Sequence, residues 1–215
     1  MSYIVLAGQQ NASRYFAVMI RVQWRQATNG STMFNERKTT QAAAKFLALA
    51  GNEMNYMVLI KFLYLLDRKT FAQWGRPVSG AEYFSMKLGP VLSEVHDLIT
   101  ELDEGYWNEH ITQSAPYQVR LTVDPGDDEL SPAEEEQIGA VFEQFKRFVN
   151  LKNPRAPFEL ADYLHNILGE WTPVETGRVP LSVRSILEAK KLPKERIDTI
   201  EKELEMLAFV GGVAR

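Results

Sequence analysis

The sequence predicts a mainly α fold of the α+β kind: a compact multi-helix domain with a small β-hairpin or short sheet, nearly all-α in content. Three observations predict it. Beyond residue 33, apolar residues recur at helical spacing through most of the chain. Asn35, Asn55 and Ser131 each stand where a helix N-cap belongs. The clearest alternating stretches in that part of the chain flank one turn, Ser114-Ala115-Pro116.

The first 32 residues differ in character. Val18, Ile20, Val22 and Trp24 alternate with Met19, Arg21 and Gln23, which reads as a strand, and Asn29-Gly30 is turn chemistry. At Met33 the sequence becomes helix-forming. Either residues 1–32 are an over-extended reading of the gene that starts naturally at Met33, or they are a genuine edge hairpin. The domain proper is expected to span 33–215.

Asn35 is expected to cap a helix to Ala50, ended by Gly51. Asn55 caps the next, Tyr56 to about Gln73, with Gly75 as left-handed terminator. Between Tyr56 and Leu66 only Lys61 is charged, so this helix is apolar nearly all round and belongs at the centre of the fold. Arg76 to Gly80 reads as a loop and Glu82 to Leu88 as a short extended piece. Gly89-Pro90 breaks the chain, with Pro90 placed at the first turn of a helix whose stripe is Val91, Val95, Leu98, Ile99 and Leu102, closed by Gly105. Tyr106 to Ile111 and Tyr117 to Val123 read as hairpin strands, followed by an acidic loop, Asp124 to Glu129.

Ser131-Pro132-Ala133-Glu134 is a capping box with proline at the first position, opening the stripe Ile138, Val141, Phe142, Phe145, Phe148, Val149. Pro157 begins a helix with Phe158, Ala161, Leu164, His165 and Leu168 inward. Two C-terminal helices follow, around Leu181 to Lys190 and Pro193 to Phe209, the second burying Ile197, Ile200, Leu204 and Leu207.

Composition narrows the function. No cysteine is present, so a disulfide framework, thiolate metal site or cysteine nucleophile is excluded. No apolar run approaches the roughly 18–20 residues of a membrane span, and the start lacks a signal peptide's cationic and apolar regions, so a cytoplasmic location is expected. The net charge of −4 argues against a duplex-binding face. Residues 41–71 also permit a helix-turn-helix reading with 106–123 as a wing. Met57 to Leu66 would then be the recognition helix, yet they are core-like and offer no polar groups to base edges.

Positive signs of catalysis are missing. His96, His110 and His165 form no His-x-x-x-His pair, and no Gly-x-Ser-x-Gly elbow, dinucleotide fingerprint or phosphate loop occurs. His96 reads as solvated beside Asp97, and His165 as a hydrogen-bonded core histidine. Asp127-Asp128-Glu129 reads as a solvated loop, and Glu134-Glu135-Glu136 as acids complementing a helix macrodipole. No cofactor, metal or catalytic residue is expected.

One ordered set of motifs stands out. Ile60-Lys61-Phe62-Leu63-Tyr64-Leu65-Leu66-Asp67-Arg68 is followed by Trp74-Gly75-Arg76-Pro77-Val78-Ser79-Gly80, then Tyr83, then Met86-Lys87-Leu88-Gly89-Pro90-Val91. With Ser131 to Val149 and Phe158 to Trp171 as later helices, this resembles the Panacea domain of SocA-like antitoxins over about Met33 to Lys190. One departure is that Leu164, not threonine or serine, precedes His165. The resemblance implies a bacterial or phage antitoxin that binds its cognate protein toxin directly, without active-site chemistry. A protease adaptor delivering the toxin for degradation is the alternative. An enzyme with Lys61, Asp67 and His165 in one pocket is a more distant one. The resemblance also nominates Lys61, Tyr64, Asp67, Trp74, Tyr83, Lys87, Gly89, Pro90, His165 and Trp171 as motif positions. Some of these are candidates for partner contact, though holding the 76–90 loop is the more economical role. Lys61, being on a buried helix, needs Asp67 or a loop carbonyl as partner.

Overall fold

One long helix organises the molecule. In the computed structural model, which describes residues 34–101 and 105–213 and the side chains up to 210, Val58 through Asp67 are buried without interruption. This is the helix whose composition is apolar all round. The strand-like Tyr15–Trp24 stretch, the Asn29-Gly30 turn, the proposed start at Met33 and the stripe residue Leu102 lie outside the described residues.

Helix α1 (Glu36–Leu49) begins where the Asn35 side chain accepts from the Lys38 amide at 2.9 Å. A short strand β1 (Glu53–Asn55), too brief for a periodicity signal, leads into the central helix α2 (Tyr56–Trp74). Asn55 caps α2 by accepting from Met57 N at 2.9 Å. Gly75 ends it at φ 74, where a Cβ would also stand 2.9 Å from Ile200 Cγ1. Ten consecutive buried residues leave α2 no polar face for a DNA groove, which favours packing over the helix-turn-helix reading.

Strands β2 (Tyr83–Met86) and β3 (Gly89–Leu92) pair antiparallel through the two-residue turn Lys87-Leu88. Pro90 is therefore in a strand and not at a helix start. β3 is an edge strand, where a missing N–H costs no ladder bond. Helix α3 (Ser93–Thr100) begins three residues later than Pro90 and buries Val95 and Ile99.

Gly105, expected to close that helix, instead opens α4 (Tyr106–His110). The expected strand at Tyr106 to Ile111 is thus a helical turn followed by β4 (Ile111–Ala115). Its start is made by α1: Glu36 Oε1 accepts from Trp107 N at 2.9 Å, a contact no local pattern reveals. β4 turns through Tyr117 (φ 64) into β5 (Gln118–Leu121), which pairs with β1 to give the sheet order β1-β5-β4.

The acidic loop and α1 are tied together. Lys45 meets Asp127 at 2.7 Å and Arg37 meets Asp128 at 2.8 Å. Buried Gln41 donates to Asp128 at 2.6 Å and accepts from Glu129 N at 2.9 Å. Asp127 and Asp128 are exposed, as read from sequence, but they are paired and not merely solvated.

Helix α5 (Pro132–Phe145) has the complete capping box and buries Ile138, Val141, Phe142 and Phe145; a 3₁₀ turn (Lys146–Phe148) continues it. In α6 (Ala156–Ile167), Leu160, Ala161 and Leu164 face inward. Phe158 does not: it is 48% exposed, about 200° around the helix from Leu160 at roughly 100° per residue. Strand β6 (Val179–Pro180) joins β2 to complete the second sheet, β3-β2-β6. Helices α7 (Val183–Ala189) and α8 (Lys194–Val213) close the described chain. Ile197 and Ile200 are buried, but Leu207 is exposed because α8 runs on past the body. With two three-stranded sheets the protein is mainly α but not all-α.

Candidate functional site

Eight of the ten nominated positions gather along one side of α2 in three nodes, and Trp74 and Lys87 stand outside them. The first surrounds the β2–β3 turn. Lys61 Nζ donates to Pro90 O at 2.7 Å, so the loop carbonyl and not Asp67 is its partner. Burial pushes the Lys61 ammonium down to about 7, because charge is costly to hold away from water. Gly89 sits against it at φ 97; a Cβ there would lie 3.2 Å from Lys61 Nζ and 3.6 Å from His165 Nε2. His165 stacks on Trp171 with ring centroids 3.8 Å apart and planes 9° apart. Trp171 Nε1 in turn donates to Met86 O at 3.0 Å, across the turn. His165 Nε2 finds no hydrogen-bond partner among the described residues, so His165 is half-buried and stacked, not the hydrogen-bonded core histidine expected. Burial, with the neighbouring Lys61 charge second, lowers its pKa and favours neutral imidazole.

The second node is Asp67. Its carboxylate accepts from Val78 N at 2.8 Å, Ser79 N at 3.0 Å and Tyr83 Oη at 2.7 Å, and from the Ser79 hydroxyl. Burial raises its pKa, opposed by these four donors. They fasten the 76–83 loop to α2.

The third node includes Glu170, a residue not singled out from sequence. Its buried carboxylate accepts from Tyr64 Oη at 2.8 Å and takes a two-pronged ion pair from Arg68 through Nε and Nη2. An acid inside Gly169-Glu170-Trp171, just beyond a helix end, was its only sequence signal. Burial first, then Glu170, keep the Tyr64 phenol protonated, and burial first, then Asp67, keep that of Tyr83 so.

Lys61 and His165 therefore meet at Gly89, whereas Asp67 is engaged elsewhere, with no hydrogen bond to either among the described residues. The three do not form the single pocket an enzyme reading requires. Of the ten nominated positions, Lys87 and Trp74 (37%) are exposed, and His165 and Trp171 are half-buried. Lys61, Tyr64, Asp67, Tyr83, Gly89 and Pro90 are buried. No group of three or more potential metal ligands occurs among the described residues, and no helix there is long and apolar enough to cross a membrane.

No curated protein and no solved structure matches the chain. The sequence does match the family described as Antitoxin SocA-like, Panacea domain, over residues 59–172. That interval is narrower than Met33 to Lys190, but it contains all ten nominated positions and all three nodes, and it covers more than half of the 215 residues. The chain belongs to the SocA-like antitoxin family and carries its Panacea domain.

Proposed function

We propose that this protein is an antitoxin of a bacterial or phage two-gene system, which neutralises its cognate protein toxin by binding it directly in the cytoplasm. The observation that carries the reading is the family match over residues 59–172. The hydrogen-bond pattern supports binding over catalysis. Asp67, Glu170 and Tyr83 are occupied in holding loops to α2, so these three are engaged structurally and not poised as nucleophile or base. In this reading residues 33–215 are the antitoxin domain and 1–32 an extension. Lys87 and Trp74 are the nominated side chains able to touch a toxin, and the buried ones build the scaffold.

Co-expression with the product of the adjacent open reading frame tests the proposal. Growth should be restored, and the two proteins should co-purify with the toxin's mass unaltered. Restored growth with a covalently altered toxin and no complex would establish an enzyme instead. Restored growth only in cells that retain an energy-dependent protease would establish an adaptor.

A further inference from the structure

Two apolar surfaces of the described chain are uncovered. The first is a groove of about 520 Å³ lined by Met54, Leu88, Tyr117, Phe148, Leu151 and Phe158, among others, and by no charged residue. Three of these are large and solvent-facing: Tyr117 is 60% exposed, Leu151 42% and Phe158 48%. Three neighbours in sequence of the lining residues are unpaired cations, whereas the acid before Met54, Glu53, is paired with Arg120 at 3.0 Å. Lys87 precedes Leu88, Lys152 follows Leu151 and Arg155 follows Pro154; all three are exposed and none has an ion-pair partner among the described residues. The one acid beside Phe158, Glu159, is approached by the Asn153 side-chain amide at 3.3 Å.

The second surface is the end of α8. Its last anchored residue is Ile200, with Leu204 half-buried, and beyond that the helix presents Met206, Leu207, Phe209 and Val210 at 69%, 40%, 73% and 59% exposure. Met206, Phe209 and Val210 follow i, i+3, i+4 spacing and so form one stripe. The turns just before it carry Glu203 and Glu205, exposed and unpaired among the described residues, against a single Lys202; Glu201 is held by Arg184. An apolar groove with a cationic rim and an apolar helix end with an acidic collar are complementary in both hydrophobicity and charge.

We propose that the chain self-associates by seating the α8 end of one copy in the groove of a second. Reciprocal exchange closes a two-fold dimer, whereas one-way exchange makes a chain of copies. Reciprocity also doubles the contact, which helps it reach the roughly 1,000 Å² a specific interface needs.

Sedimentation velocity on the full chain, over a wide concentration range, tests this. The protein should sediment as a dimer or larger. Phe209→Glu and Phe158→Glu, both at exposed positions, should each give a monomer with an unchanged melting midpoint. Mixing the two should bring association back, weaker than in the unaltered protein, because one retains its groove and the other its helix end. Lys152→Glu with Arg155→Glu should weaken association about tenfold and blunt its salt dependence. A wild-type monomer at every concentration overturns the proposal. So does a dimer that survives either substitution, or a mixture that stays monomeric. Capture of the neighbouring gene's product by the groove of a monomeric chain overturns it in favour of a toxin-docking surface.

Discussion

At the scale of residues, Lys61 shows how a charge survives in a core. Among the described residues its ammonium has a single carbonyl acceptor and no carboxylate, and burial lowers its pKa from 10.5 to about 7. The sign of the linkage follows. Between about 7 and 10.5 the unfolded chain holds a proton that the folded chain has released, so stability climbs with pH across that window. The gain is at most about 1.4 kcal/mol per pH unit. In urea unfolding at a series of pH values, the stability of the natural protein relative to Lys61→Met should therefore rise from neutral to alkaline pH. A flat difference would contradict the burial argument. Gly89 is constrained twice, by φ 97 and by Lys61 Nζ at 3.2 Å from any Cβ. Gly89→Val should cost about 3 kcal/mol through left-handed strain and displacement of the lysine. Thermal melts and toxin neutralisation should both fail; a folded variant with full neutralising activity would count against it.

At the scale of elements, the contact between α1 and the 124–130 loop turns on Gln41. Its buried amide bridges Asp128, Pro125 O and Glu129 N in one side chain. Arg37, exposed, and Lys45, half-buried, pair with exposed acids of the same loop, where ion pairs add little. Gln41→Ala should cost about 1–2 kcal/mol, because water reaches the outer side of the loop and replaces part of what is lost. Hydrogen exchange should accelerate at the Glu129 amide while the α2 amides stay protected. Equal acceleration in α2 would mean that loop and core open as one unit.

At the scale of the molecule, Glu170 joins the two ends of the family segment: Tyr64 and Arg68 reach it from α2 across about a hundred residues of chain. Its side chain is fully buried and that of Arg68 is 15% exposed. Removing the acid leaves a largely buried guanidinium and a phenol without their acceptor, a loss of about 3–5 kcal/mol. Glu170→Ala should lower the melting midpoint by on the order of 10 °C for a chain of this size. A shift within a degree or two would show that the pair is dispensable.

Helix existence was readable from sequence because its causes are local. Asn35, Asn55 and Ser131 cap the amides two or three residues on, Gly75 takes the left-handed turn, and the apolar composition of α2 demands a central place. Those features, with the motif order around Lys61 to Pro90, also carried the family. Tertiary structure alone decided what depends on distant partners. Tyr106–His110 is helical because Glu36 of α1 receives the Trp107 amide. Pro90 lies in a strand because Tyr83–Met86 is there to pair with it. Glu170 matters because α6 delivers it to Tyr64 and Arg68. Local propensity acts within a few residues, whereas a buried charge or an unpaired amide is satisfied by whatever the fold brings to it.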